Sequence, residues 1–229
     1  FSQPDTWEPA IAAALGHHPP GDPALHPEHG AMLGQLLQNV LHTPLDLPGS
    51  STPMQLASLG WARRKVEMEF HLPMSRLDPQ VLQPMLEAHG EAVPRLGFPA
   101  LQGFLKGYID LVFAHEGRYY VLDWKSNHLG WSPEDYGPAA MDKAMLEHGY
   151  RLQARLYLLA LHRFLAFRLP DYDPARHLGG ACYLFVRGVR PGWQLGEQQE
   201  EPQSRQQAGV CLLPPKPELI LALEGLLGP

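Results

Sequence analysis

The sequence predicts an α/β fold in which helices flank a central mixed sheet, and three observations lead to that class. Apolar runs at 108–113 and 119–122 flank a short polar turn that contains Gly117, which is the pattern of a β-hairpin. Segments with apolar residues at helical spacing precede and follow this hairpin. A further apolar strand at 180–186 follows the second helical region. A chain that runs helix, three strands, helix, strand favours an α/β arrangement.

The elements before the hairpin are read from periodicity and from helix-start signals. The sequence predicts a short helix at 8–15, a helix at 30–42 and a loop at 43–54. Strict alternation of apolar and polar residues predicts a half-exposed strand at 65–72. Asp78-Pro79 has the form of a helix start, so a helix is expected from there to about His89.

The elements after the hairpin follow the same logic. Ser132-Pro133-Glu134-Asp135 has the features of a helix N-terminus. A mostly helical segment is expected at 141–167, with a break at Gly149. Its core-facing residues are expected to be Leu152, Leu156, Leu159 and Phe164. A strand at 210–213 and a helix at 217–227 complete the chain, after a Gln/Glu/Gly-rich segment at 190–207 that is expected to be a mobile loop.

Composition limits the function classes. The chain has 229 residues, enough for one large domain with its own core, and the absence of a long apolar run predicts a soluble chain without a transmembrane helix or membrane contact. No signal peptide is visible, and because residue 1 is Phe the chain is expected to be a fragment. Cys182 and Cys211 lie in apolar runs without zinc spacing, so both are expected to be reduced core residues. The net charge of −6 argues against a free-standing, non-specific nucleic-acid binder, but it is compatible with a nuclease to which another domain or subunit delivers DNA.

The residues with the strongest chemical signal lie at one end of the hairpin. One strand carries Asp110, and the next ends on Asp123 and Lys125, which share a face because the strand period is two. Carboxylate oxygens suit a hard cation such as Mg²⁺, which polarises a phosphate and lowers the pKa of a bound water. A lysine beside them can orient that water and offset developing charge. The alternative is a polar hairpin end with a surface Asp–Lys pair that contributes little energy.

A second group of polar residues is expected to lie near the first. Gln153 and Tyr157 are four residues apart and therefore share a helix face, either as an ordinary amphipathic pair or as a pair that reaches over the metal site. Glu67 is a third candidate carboxylate on the preceding strand, but Glu69 lies on the same strand face, so spacing does not choose between them. Basic residues near these segments are candidates for phosphate contacts: Arg63, Arg64, Lys65, Arg151 and Arg155.

The segments around these residues resemble a known family. Gly107-Tyr108-Ile109-Asp110 within 103–113, and Asp123-Trp124-Lys125 within 115–127, are similar to the C-terminal nuclease domain of the RecB family of helicase–nuclease subunits. The similarity extends over most of 60–190. It implies the PD-(D/E)xK (restriction-endonuclease-like) nuclease fold over a single domain, 1–229, with a helical part at 1–60 and a nuclease core at 61–229.

The resemblance also implies roles. Asp110 and Asp123 correspond to metal-binding carboxylates, the Trp124 carbonyl to a backbone metal ligand, and Lys125 to the catalytic lysine. Glu67 matches the family's acidic residue on the preceding strand, and Gln153 and Tyr157 match its Gln-x-x-x-Tyr helix. The implied function is a Mg²⁺-dependent DNA exonuclease of bacterial cytoplasm that acts on single strands and duplex ends with RecC- and RecD-like subunits, and with docking of the RecA recombinase.

Two further expectations follow. Relatives carry a His ligand in a Gly-x-x-x-His helix, and this chain lacks that motif. Residues 1–4 resemble the segment that follows this helix in the relatives, so the chain is expected to begin downstream of it. Without this ligand the chain is expected to bind its cation weakly. His17, His18 and His42 are not expected to replace that ligand. The competing hypothesis for function is a non-catalytic docking module for a recombinase or for the other subunits. A nuclease with an iron–sulfur cluster is disfavoured because the chain has no cysteine cluster.

Overall fold

The computed structural model describes residues 6–19, 21, 26–190, 193 and 207–228. Its centre is a five-stranded sheet in the order β1-β2-β3-β4-β5. The strands are β1 (Arg64–Leu77), β2 (Leu101–His115), β3 (Arg118–Lys125), β4 (Leu178–Phe185) and β5 (Val210–Leu213). The β3–β4 pair is parallel and the other three pairs are antiparallel, which confirms the predicted mixed sheet.

Seven α-helices lie around this sheet within the described residues. They are α1 (Trp7–His17), α2 (His26–His42), α3 (Pro79–Ala88), α4 (Pro138–Glu147), α5 (Tyr150–Arg168), α6 (Pro174–His177) and α7 (Pro217–Leu227). The expected break at Gly149 is confirmed, since this residue takes the left-handed conformation (φ 68°) between α4 and α5. None of the helices in the described part of the chain has the length and apolarity that a membrane crossing needs.

One local prediction was wrong, and a second was largely confirmed. Ser132-Pro133-Glu134-Asp135 does not start α4 but forms a single 3₁₀ turn, because Gly137 is extended (ψ 172°) and the helix begins only at Pro138. On α5, Leu159 is buried in the core, and the partly buried Leu152 and Phe164 pack against it, as predicted. Leu156 is only partly buried. Most of the expected loop at 190–207 lies outside the described residues.

The two faces of the sheet are covered by different parts of the chain. Because side chains alternate along a strand, Val112 and Val121 point to the face of the sheet that packs on α5. Residues of α3 and α7 belong to the same apolar core. The neighbouring residues Leu111 and Leu122 point to the other face, where they meet apolar residues from 36–59. The segment before β1 is therefore a layer of the same fold. Cys182 and Cys211 are free and buried, as predicted.

The β2–β3 turn is tied to the loop beneath it. Glu116 and Gly117 both have positive φ (46° and 76°), which is the geometry of a two-residue hairpin turn. The Glu116 carboxylate accepts hydrogen bonds from Ser51 N–H at 2.7 Å and from Thr52 Oγ1 at 2.7 Å. These bonds fix the hairpin against the layer formed by 36–59.

A buried ion cluster holds α5 in place. Arg155 and Glu91 are each about 1% exposed, and Arg155 Nη2 lies 2.7 Å from Glu91 Oε2. Lys216 Nζ lies 3.1 Å from the same oxygen. The expectation that Arg155 contributes to an exposed phosphate-binding rim is therefore wrong, because its guanidinium is enclosed with its counterion.

Candidate active site

The two hairpin aspartates lie where β2 and β3 separate. The antiparallel register of the pair ends at Leu111–Leu122, so Asp110 and Asp123 are the next residue on each strand. Asp110 Oδ2 accepts a hydrogen bond of 2.9 Å from the Trp124 N–H, which draws its carboxylate across the gap toward β3. The separation of the strands therefore creates an acidic position at the edge of a buried sheet.

Lys125 is enclosed and has two acceptors. Its Nζ lies 2.6 Å from Asp123 Oδ2 and donates to Gln153 Oε1 at 3.0 Å. The side chains of Lys125 and Asp123 are only 10% and 6% exposed, so water screens their attraction weakly. The alternative of an exposed surface pair does not fit this burial.

The α5 face above the lysine completes a hydrogen-bond network. Gln153 Oε1 accepts from Lys125 and also from Tyr183 Oη at 3.1 Å, while its Nε2 donates to Tyr157 Oη at 3.0 Å. The Tyr157 hydroxyl also lies close enough to the Asp123 carboxylate to lower the pKa of that carboxyl. Because the amide group uses both ends, its orientation is fixed, and it holds the ammonium and the phenol at defined positions.

The electrostatics of the site favour a cation. Burial raises the pKa of the Asp123 carboxyl, the neighbouring Asp110 carboxylate raises it further, and Lys125 opposes both effects. Burial, followed by the charges of Asp123 and Asp110, also raises the pKa of Tyr157 well above its ordinary value, so its hydroxyl stays protonated. Two carboxylates face one ammonium, and this excess of negative charge at oxygen ligands suits a hard divalent cation.

The donor set for such a cation is small. Within the described residues, no three His, Cys, Asp or Glu side chains lie close enough together to form a metal site. The candidate ligands are therefore the carboxylates of Asp110 and Asp123 and the carbonyl of Trp124, with water for the remaining positions. Mg²⁺ commonly retains several waters, so the residues present fit this ion. That His17, His18 and His42 do not replace a missing ligand stays a prediction.

Glu67 lies at the edge of the site and Glu69 lies away from it. The pairs Val66–Leu111 and Met68–Ile109 flank Glu67, which leaves it opposite Asp110, with an exposed side chain and a positive φ of 50°. Glu69 instead pairs with Lys106 at 2.7 Å on the outer surface. The register thus favours Glu67 over Glu69 as the third carboxylate near the acid pair.

Two aromatic residues near Lys125 were missed at the sequence level. The Lys125 ammonium lies 3.8 Å from the ring centroid of Tyr150 and 5.1 Å from that of Tyr183. Tyr150 was detectable, since it precedes Gln153 by three residues and therefore shares its helix face. Tyr183 had no local signal, because it reaches the site only through the parallel pairing that sets it beside Asp123.

Comparison with known proteins agrees with this geometry. The family model of the PD-(D/E)XK nuclease superfamily matches residues 13–212. The RecBCD enzyme subunit RecB of Escherichia coli K12 is 46% identical over 164 residues, which cover 69% of this chain and 13% of the relative. RecB of Haemophilus influenzae Rd is 40% identical over 192 residues (83% and 14%), and RecB of Mycobacterium tuberculosis H37Rv is 43% identical over 183 residues (80% and 15%).

The chain therefore matches only a short segment of each of these relatives, between 13% and 15% of their length. That segment covers most of the present chain, which confirms the resemblance to a RecB-type nuclease domain. The mixed sheet, its flanking helices and the family match lead to the same assignment: the chain belongs to the PD-(D/E)XK nuclease superfamily.

Proposed function

We propose that this chain is a Mg²⁺-dependent deoxyribonuclease domain that hydrolyses phosphodiester bonds at DNA ends. The observation that carries the proposal is the buried Lys125 ammonium, held between Asp123 and Gln153 at the point where the two strand acids face each other. Similarity to RecB subunits supports an exonuclease role in double-strand-break processing and recombination, in the cytoplasm of a bacterium. The proposed partners are single strands and duplex ends of DNA, RecC- and RecD-like subunits, and a RecA-type recombinase.

Each residue has a distinct task in this proposal. Asp110, Asp123 and the Trp124 carbonyl hold Mg²⁺, which when bound polarises the phosphate and lowers the pKa of a coordinated water. Lys125 supplies a fixed positive charge that orients the attacking water and offsets charge developing on the phosphate oxygens. Gln153 fixes the lysine, and the neutral Tyr157 hydroxyl orients the Asp123 carboxylate. Glu67, which the strand register leaves opposite Asp110, is assigned the role of contacting a water bound to the metal.

The test measures release of acid-soluble nucleotides from DNA across a range of Mg²⁺ concentrations. The wild-type chain is expected to release nucleotides only with the metal, and Lys125→Ala is expected to lower the rate by about 10²–10³-fold. Asp110→Ala and Asp123→Ala should abolish release while leaving the circular dichroism spectrum unchanged. The matched control is Lys143→Ala, which removes an exposed lysine paired with Glu147 at 3.9 Å on α4.

The same assay distinguishes the nuclease proposal from the competing hypothesis of a non-catalytic docking module. Full activity in Lys125→Ala would refute the assignment of the catalytic lysine. Absence of release by the wild-type chain at every Mg²⁺ concentration would refute the nuclease proposal and favour a non-catalytic docking module.

A further inference from the structure

The first turn of α5 carries an aromatic ring that the proposed chemistry does not use. Tyr150 is the first residue of α5, and its ring lies with Gln153 and Tyr157 on the helix face that covers Lys125. Its centroid is 3.8 Å from Lys125 Nζ, well within the distance of about 6 Å at which a ring attracts an ammonium. Since the lysine side chain is 10% exposed, this attraction acts with little competition from water.

The ring is itself held at that distance. Tyr150 Oη donates to Asn127 Oδ1 at 3.2 Å, and Asn127 Nδ2 donates to His148 Nε2 at 3.2 Å. The His148 ring stacks on the Tyr150 ring with centroids 5.2 Å apart. Asn127 follows Lys125 by two residues, and His148 precedes the left-handed Gly149 that starts α5. The strand exit and the α4–α5 turn therefore clamp the ring from both sides.

A lysine side chain needs such restraint. Its four-carbon stem is flexible, and its ammonium is a point charge without a fixed direction. Asp123 and Gln153 supply acceptors, and the Tyr150 ring supplies a surface against which the ammonium packs. Together they leave the stem little freedom to swing away.

We propose that Tyr150 is a positioning residue for Lys125, acting through the face of its ring rather than through its hydroxyl. The expected change in kcat rests on the proposed nuclease function, whereas the expected position of the Lys125 side chain does not. The two ends of Tyr150 have different contacts: the hydroxyl donates a hydrogen bond to Asn127, and the ring packs against the Lys125 ammonium.

The test replaces residue 150 in the full chain by Phe, by mono-, di- and trifluorinated phenylalanines, and by Leu. Fluorination makes the face of the ring less negative with almost no change in its shape. A cation–π role therefore predicts that kcat falls stepwise along the series. Tyr150→Phe should keep kcat within about 2-fold, Tyr150→Leu should lower it about 10-fold, and KM for DNA should change by less than about 2-fold throughout. The control is the same fluorinated series at Phe113, which stacks on Tyr120 and lies in the core on the other face of the sheet.

A second measurement needs no catalysis. In the DNA-free protein, ring currents should shift the Lys125 Hε resonances upfield in the wild type and in Tyr150→Phe. In Tyr150→Leu this shift should fall to the smaller contribution of the more distant Tyr183 ring, at 5.1 Å. Retention of the full wild-type shift in Tyr150→Leu, or a kcat equal across the fluorinated series and Leu, would overturn the positioning role. An upfield shift in a wild-type chain that fails to cleave DNA would refute the nuclease proposal alone and leave the placement of the lysine standing.

Discussion

The buried pair of Glu91 and Arg155 gives the sharpest stability prediction. Replacing Glu91 by Leu leaves the Arg155 guanidinium, about 1% exposed, with the Pro214 carbonyl at 2.6 Å but without a counterion. Removal of one partner of a buried ion pair costs about 3–5 kcal/mol, and that is the loss in unfolding free energy expected here. Arg155→Leu should cost less, about 2–3 kcal/mol, because Glu91 keeps Lys216 at 3.1 Å. For a chain of this size the larger loss lowers Tm by about 6–20 °C.

The assay is equilibrium unfolding in urea, completed as a double-mutant cycle. The double variant Glu91→Leu, Arg155→Leu should be no less stable than Glu91→Leu alone, since it leaves no unpaired buried guanidinium. A cost below about 1 kcal/mol for Glu91→Leu, or two single costs that simply add in the double variant, would refute the view that these groups are stable only as a pair.

The remaining predictions concern the site, acid stability, packing and DNA affinity. Gln153→Ala should lower kcat about tenfold with little change in KM, because Lys125 loses a charge-assisted hydrogen bond. Hydrogen bonds from the 51–52 backbone and side chains lower the pKa of Glu116 from 4.5 to about 2, so the stability they provide is complete above pH 4.5 and is lost as the pH falls toward 2. A plot of Tm against pH should therefore fall less steeply over that interval for Glu116→Gln than for the wild type. Gly179→Ala should cost about 1–3 kcal/mol, because the added Cβ would lie 2.3 Å from the Tyr120 ring. Finally, with a net charge of −6, binding of DNA should be weak and should decline steeply with salt in fluorescence anisotropy.

Each of these has a control or a contradicting result. Gln80→Ala, an exposed glutamine on α3, should leave kcat unchanged. Parallel acid-unfolding curves for wild type and Glu116→Gln would contradict the pH prediction. Gly225→Ala is the packing control, because nothing lies within 4 Å of its added Cβ and alanine favours the helix. Tight binding of single strands that is insensitive to salt would contradict the electrostatic argument.

Local periodicity predicted much of the geometry around the site. A strand period of two set Asp123 and Lys125 on one face, and helical spacing set Gln153 above Tyr157, as the structure has them. The hairpin turn and the final helix were also predicted, since each depends on residues close in sequence. The catalytic roles of these residues remain predictions that mutagenesis must test.

What sequence reasoning missed depends on partners far along the chain. The sequence around Arg155 is typical of a surface cation on a helix. Its buried ion pair with Glu91 forms only in the fold, because the two residues are 64 positions apart in sequence. Tyr183 joins the site through a parallel strand pair whose register no local pattern encodes. The start of α4 was misplaced because the extended backbone of Gly137 outweighed the favourable cap residue Ser132, five residues earlier.

The layer formed by residues 36–59 has a consequence for limited proteolysis. Its apolar side chains, among them Leu45 and Leu56, share a core with strand residues such as Phe113 and Leu184. Both Leu45 and Leu56 are fully enclosed, and the hydrophobic effect holds them there whether or not the chain is continuous. A single cut in the exposed stretch at 51–53 should therefore yield two pieces that migrate apart in denaturing gels yet elute together from a native sizing column. A version of this fold that starts at β1 would lack the layer formed by 36–59 and expose the strand residues which that layer covers, so the nicked protein, unlike the truncated one, should stay folded.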